Sequence, residues 1–326
     1  MPDVAMWLPR RRSSNLLDRT DRQLIATDRK IRRSLAKGHP RRWTPPEESK
    51  LGDRSEAHFL LDLYRADFLA HQRQTRESLT ALRRVLEESQ TAQIRARAAQ
   101  GQCEILLAEF LDLREDQPEA AQRSEGECRD LCERAAVEFK GFDWSCIVKD
   151  TFHAVLGILD YHSGDRLGAK FHLSRSLQLS SEIDDRHDER ATGSAWVLGL
   201  VYFYSGVLAN ETNDVSNAVK YLNIALRSVP ALVEVSALMQ LASASLKAGD
   251  PKGARKFAKR GLKSPRLKES GKGMASELKA WLAEAELELG EKREAARLFR
   301  EVIESGDAPS WESRAKENLR KIEQDA

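Results

Sequence analysis

From Ser55 onward, apolar residues recur at the i, i+3, i+4, i+7 spacing of one helix face, and Gly, Asp or Pro interrupts the pattern at intervals. These breaks predict helix pairs at about 55–89, 91–139, 146–182, 188–229, 231–264 and 271–305. A lone helix from about Trp311 to Gln324 follows, placed to cover the end of a stack. The first 50 residues read differently. They are Arg-rich and end in Gly38-His39-Pro40 and Thr44-Pro45-Pro46, both of which interrupt helices. Within them Asn15 caps one predicted amphipathic helix, whose Leu17, Leu24, Ile31 and Leu35 form a stripe, and Gly38 stops it.

Small residues sit where two helices of a pair would cross. The 195–230 stretch carries Leu198-Gly199 and Tyr202, then Ala218, Leu222, Ala225 and Pro230. The pair before it has Leu156-Gly157, Gly164-Asp165, Ala169, Leu173 and Ser176; the pair after it has Leu241-Ala242, Gly249-Asp250, Ala254, Ala258 and Gly261. The last pair has Leu282-Ala283, Gly290-Glu291, Ala295, Phe299 and Val302. A larger side chain at these places would force the helices apart.

In these positions the chain resembles the tetratricopeptide repeat (TPR) family, which places a small residue late in helix A and another early in helix B. The resemblance implies an all-α fold: a right-handed α-solenoid of TPR-like helix-turn-helix repeats with a C-terminal capping helix. The expected organisation is a basic arm and Pro-rich linker at 1–54, divergent hairpins at 55–145, TPR-like repeats at 146–305 and the capping helix at 306–326. Two departures stand out. Ala169, Ala218, Ala254 and Ala295 are separated by 49, 36 and 41 residues, against about 34 in the family. Gly199 to Ala218 spans 19 residues where the pattern implies about 12, so that hairpin reads as longer by about two turns.

The family's groove-facing helix A positions, carried onto this chain, form a mostly apolar set. They are Thr151, Ala154, Ile158, Tyr161 and His162 in one unit, and Gly193, Trp196, Leu200, Phe203 and Tyr204 in the next. The third unit adds Ser236, Met239, Ser243, Leu246 and Lys247. The resemblance thus implies a concave face suited to a partner's helix or extended peptide, gripped by aromatic and Met side chains. The alternative is that Trp196, Phe203 and Tyr204 pack against neighbouring helices. Apart from Lys247 and His162 these positions lack the charged clamp that family members use for a terminal carboxylate.

Composition supports helix over strand: 41% of the 326 residues are hydrophobic, 32% are charged and only 6% are aromatic. The net charge of +2 hides a local excess, 13 Lys/Arg against 6 Asp/Glu in residues 1–50, so the remainder is net negative. Arg10, Arg11, Arg12, Arg29, Lys30, Arg32 and Arg33 are the candidate anion contacts. For the arm helix three roles stand open: a cap on the first repeat, a partner or autoinhibitory contact, or a contact to nucleic acid or an anionic membrane surface. No stretch approaches the ~20 apolar residues of a membrane span, and no export signal follows the arginines, so a cytoplasmic location is expected.

Four cysteines, Cys103, Cys128, Cys132 and Cys146, show no disulfide framework. Cys128 and Cys132 share a helix face at i,i+4, which is half of a metal set that needs two more ligands. The histidines His153, His162 and His172 lack a triad or metal spacing, and the acidic run Asp184–Glu189 lacks a calcium-loop pattern. Ser270-Gly271-Lys272-Gly273 lacks the first Gly and the final Ser/Thr of a phosphate loop. No catalytic, cofactor-binding or metal-ligating residue is therefore assigned. The expected function is a non-enzymatic protein-binding scaffold or adaptor; the alternative is a regulator of a nucleic-acid process whose arm contacts phosphates.

Overall fold

The computed structural model describes residues 56–139, 145–184, 195–268, 270–271 and 273–324. Among these, all α-helix and no strand is found. The helices are α1 (Glu56–His71), α2 (Thr75–Glu88), α3 (Ala92–Leu113), α4 (Pro118–Glu138), α5 (Ser145–Ser163) and α6 (Arg166–Asp184). They continue with α7 (Ala195–Glu211), α8 (Val215–Ser228), α9 (Pro230–Lys247), α10 (Pro251–Leu262), α11 (Met274–Glu288), α12 (Lys292–Ser305) and α13 (Pro309–Gln324). A short 3-10 turn, Pro265–Lys268, lies between α10 and α11. The amphipathic helix expected in residues 1–54 lies outside the described residues.

The chain forms two compact units, one running to Val197 and one from Leu198. In the first, each helix from α1 to α6 packs on the next, and α1 also meets α3 while α3 meets α5. In the second, α8 to α13 pack successively, α9 also meets α11, and α11 meets α13. Contact with both the next helix and the next but one is the signature of stacked antiparallel hairpins.

One turn device recurs between the helices of a pair. A residue with left-handed backbone ends the first helix: Arg73 (φ 61°), Gly164 (φ 87°), Asn213 (φ 62°), Gly249 (φ 71°) or Gly290 (φ 81°). The next residue then starts the second helix. In three pairs it is an aspartate whose carboxylate accepts a backbone N–H three residues on: Asp165 from Gly168 at 2.9 Å, Asp214 from Asn217 at 3.3 Å and Asp250 from Gly253 at 2.9 Å. Gly suits the first position because it has no Cβ to clash, and Asn tolerates it better than other residues. Asp suits the second because its oxygen satisfies an orphan donor of the helix start.

The turn fixes the register of the four pairs from α5 onward. Counting back seven residues from Gly164, Asn213, Gly249 and Gly290 gives Gly157, Gly206, Ala242 and Ala283; counting forward five gives Ala169, Ala218, Ala254 and Ala295. The crossing residue of α7 is therefore Gly206, not Gly199, and the interval to the helix B alanine is 12 residues in all four pairs. Packing agrees, since a Cβ built on Gly157 or Gly206 falls 2.7 Å from Cγ of Leu173 or Leu222, the matching residue of helix B. Gly199 instead lies under Val229, at the turn between α8 and α9. The extra two turns expected in this hairpin do not exist. The irregular alanine spacings arise between pairs, in 185–194, outside the described residues, and in the 3-10 segment before α11.

The helix B alanines Ala169, Ala218, Ala254 and Ala295 are fully buried. In the second unit Ala242, Ala258, Ala283, Phe299, Trp311 and Ile322 belong to one core, so α13 closes it with its own apolar face. Trp311 meets Trp281 edge to face at a centroid distance of 4.5 Å.

Candidate partner-binding face

The corrected register changes which α7 residues occupy the helix A positions. Relative to the crossing residue, the face takes residues at −6, −3, +1, +4 and +5, which in α7 are Leu200, Phe203, Val207, Asn210 and Glu211. Leu200 and Phe203 stay in the set, moved to its first two places. Trp196 and Tyr204 leave it, and Gly193 lies outside the described residues. Tyr204 is buried, while Trp196 is half-buried near the start of α7.

In the second unit, α7 and α9 are tied together on this side. The Asn210 side-chain amide donates to Gln240 Oε1 at 2.8 Å, and Lys247 donates to the Asn210 carbonyl. Leu200, Val207 and Ser243 are buried, so Leu200 and Ser243 serve packing rather than contact. Phe203, Met239 and Leu246 are half-buried and Lys247 is exposed. The Phe203 ring stacks edge-on against Tyr204 with centroids 5.1 Å apart, which holds it in place. Asn210 Oδ1 is buried without a hydrogen-bond donor.

In the first unit, Ile158 is fully buried and belongs to the core. Tyr161 and His162 are half-buried and already engaged. The Arg166 guanidinium sits 4.1 Å from the Tyr161 ring centroid, and Arg114 donates to His162 Nε2 at 2.7 Å. Phe110 meets the His162 ring edge at 5.6 Å. Burial, then the charges of Arg114 and Arg166, push His162 down to about 3, so it is neutral and accepts from Arg114. A histidine committed in this way is a packing element of α3 and α5.

Three groupings go beyond what the sequence showed. The first is an array across α4, α5 and α6: His153 and His172 share a hydrogen bond between their Nδ1 atoms at 2.8 Å, His172 Nε2 lies 3.8 Å from Asp160, and Arg129 bonds Asp160 at 2.7 Å. Burial lowers His172, against the pull of Asp160. The second is an exposed apolar pair one turn apart on α6, Leu167 (83% exposed) and Phe171 (64%), with the Phe171 ring edge-on to His172 at 5.1 Å. The third is a sulfur cluster. Cys103 on α3 meets Cys128 and Cys132 on α4, with all three Sγ atoms within 4.8 Å of one another and all three residues buried. Burial raises the Cys103 and Cys132 thiols well above their ordinary range. The candidate anion contacts Arg10, Arg11, Arg12, Arg29, Lys30, Arg32 and Arg33 all lie outside the described residues.

Hairpins in register, small crossing residues and a closing helix define an all-helical repeat protein. No protein-family model matches the chain. No curated protein matches it. Among solved structures, the apo form of RapI matches at 10% identity and a TM-score of 0.49, over 82% of this chain and 71% of that one. No helix among the described residues is long and apolar enough to cross a membrane.

Proposed function

We propose that the chain is a non-enzymatic, TPR-type scaffold or adaptor of the cytoplasm, holding a peptide or helix of a partner protein on the helix A face of its second unit. The observation that carries this reading is the row of partly exposed apolar side chains on the helix A face: Phe203 on α7 and Met239 on α9 at equivalent positions, and Leu246 two turns further along α9. Leu200, Val207 and Ser243 on the same face are buried beside the row, and Gln240 and Lys247, both bonded to Asn210, provide a polar margin. Rigid aromatic and Met anchors beside polar groups are what an interface centre needs.

The test is affinity capture from nuclease-treated lysate with the full chain and with Phe203→Ala/Met239→Ala, both shown by circular dichroism to be folded. The expected result is at least a ~10-fold loss of partner recovery, as for truncation of two anchors worth about 1 kcal/mol or more each. Undiminished recovery by the folded variant would reject this face.

A further inference from the structure

We propose that Cys103, Cys128 and Cys132 form a three-sulfur binding site for a soft, thiophilic d10 cation, with copper(I) as the ion it takes best. Three of the four cysteines in 326 residues converge at one point of the α3–α4 hairpin, although Cys103 stands 25 residues from Cys128 in sequence. Elsewhere the chain fills hairpin interiors with alanine, as at Ala169, Ala218, Ala254 and Ala295. A small apolar residue would have served for packing alone; three thiols at one point supply a donor set.

The geometry suits metal. Sulfurs around a three-coordinate ion with metal–sulfur bonds of ~2.3 Å stand ~4 Å apart. Here the Sγ atoms lie within 4.8 Å of one another, and Cys132 Sγ is 3.2 Å from Cys103 Sγ. Small movements of two helices already in contact bring them to bonding positions. Coordination number follows from the surroundings. Among the described residues no further His, Cys, Asp or Glu ligand atom joins the group, and the three residues are completely buried, away from bulk water as a source of a fourth ligand. Structural zinc takes four ligands, whereas thiolate sulfur selects copper(I) among soft ions and copper(I) accepts three. Binding replaces the S–H bond of each protonated cysteine by a sulfur–metal bond and releases that proton to solvent, up to three in all, with no change of oxidation state.

The test uses the full chain, reduced and oxygen-free, titrated with copper(I) against a chromophoric copper(I) chelator. The expected result is retention of one copper(I) per chain, with an X-ray absorption spectrum showing sulfur neighbours only and a three-coordinate edge. Cys103→Ser and Cys132→Ser should each weaken binding by ~10-fold or more, on the scale of lost metal-site groups. Where a serine variant fails to fold, the alanine variant at that position is read in its place. Cys146→Ser should bind as the wild type does. The site is overturned if the chelator strips all copper from the wild type, if the single variants bind like it, or if Cys146→Ser loses binding. A four-coordinate shell overturns it as well.

Discussion

A methyl group added at Gly157 or Gly206 would land 2.7 Å from Cγ of Leu173 or Leu222, a separation that real Cβ atoms do not tolerate. Gly157→Ala and Gly206→Ala should therefore each destabilise the fold by about 1–3 kcal/mol, the cost of overpacking, as measured by urea unfolding. Gly126, exposed in the middle of α4 with nothing within 4 Å of its added Cβ, gives the opposite expectation. Gly126→Ala should stabilise by about 0.5–1 kcal/mol through helix propensity alone. His162 supplies a pH dependence. Its folded value of about 3 lies below the ordinary 6.5, so the unfolded chain takes up the proton first. Stability is thus complete above the unfolded value and falls as pH drops from about 6.5 toward 3. In His162→Gln, which retains an acceptor for Arg114, denaturant midpoints across that window should fall less steeply than in the wild type.

At the scale of the element, two of the ion-pair sites between hairpins share one arrangement: a buried acid on helix A meets a base on the preceding helix B. Asp160 on α5 meets Arg129 on α4, and Glu286 on α11 meets Arg255 and Lys259 on α10, the lysine at 3.1 Å. Arg129→Met would strand a carboxylate that is 8% exposed, at a cost of about 2–3 kcal/mol. Adding Asp160→Leu should recover most of that loss, and a double-mutant cycle of thermal melts measures both. Helix pairing was legible because a 3.6-residue apolar period and Gly/Pro breaks mark it directly. Register in α7 was not, because Gly199 is also small and also closely packed, against Val229 rather than Leu222. The signal that settles it is Asn213-Asp214, which stands where neighbouring pairs have Gly-Asp; Asn adopts the left-handed turn that Gly adopts elsewhere. The sulfur cluster was half legible. The i,i+4 spacing of Cys128 and Cys132 shows a shared face, but Cys103 joins it only through the register of the α3–α4 hairpin, whose turn lacks the recurring device.

For the whole molecule, the charge imbalance that stands out in the sequence lies in residues 1–50, while among the described residues many acids and bases are paired between helices. The proposed peptide or helix partner would thus meet apolar anchors more than a field of one sign. The candidate contacts read from the sequence divide accordingly. Ile158, Leu200, Tyr204 and Ser243 are buried, Tyr161 and His162 are engaged by arginines, and Phe203, Met239 and Leu246 remain available. The exposed pair Leu167 and Phe171 on α6 is the competing surface, on the other helix of its hairpin and in the other unit. The most direct measurement is site-specific photo-crosslinking, with a photoreactive phenylalanine analogue at Phe203 or at Phe171 in the full chain, in cells. Partner-binding by the helix A face predicts a discrete crosslinked protein from position 203, absent from position 171 and lost on adding Met239→Ala. Crosslinking from 171 with none from 203 would contradict it.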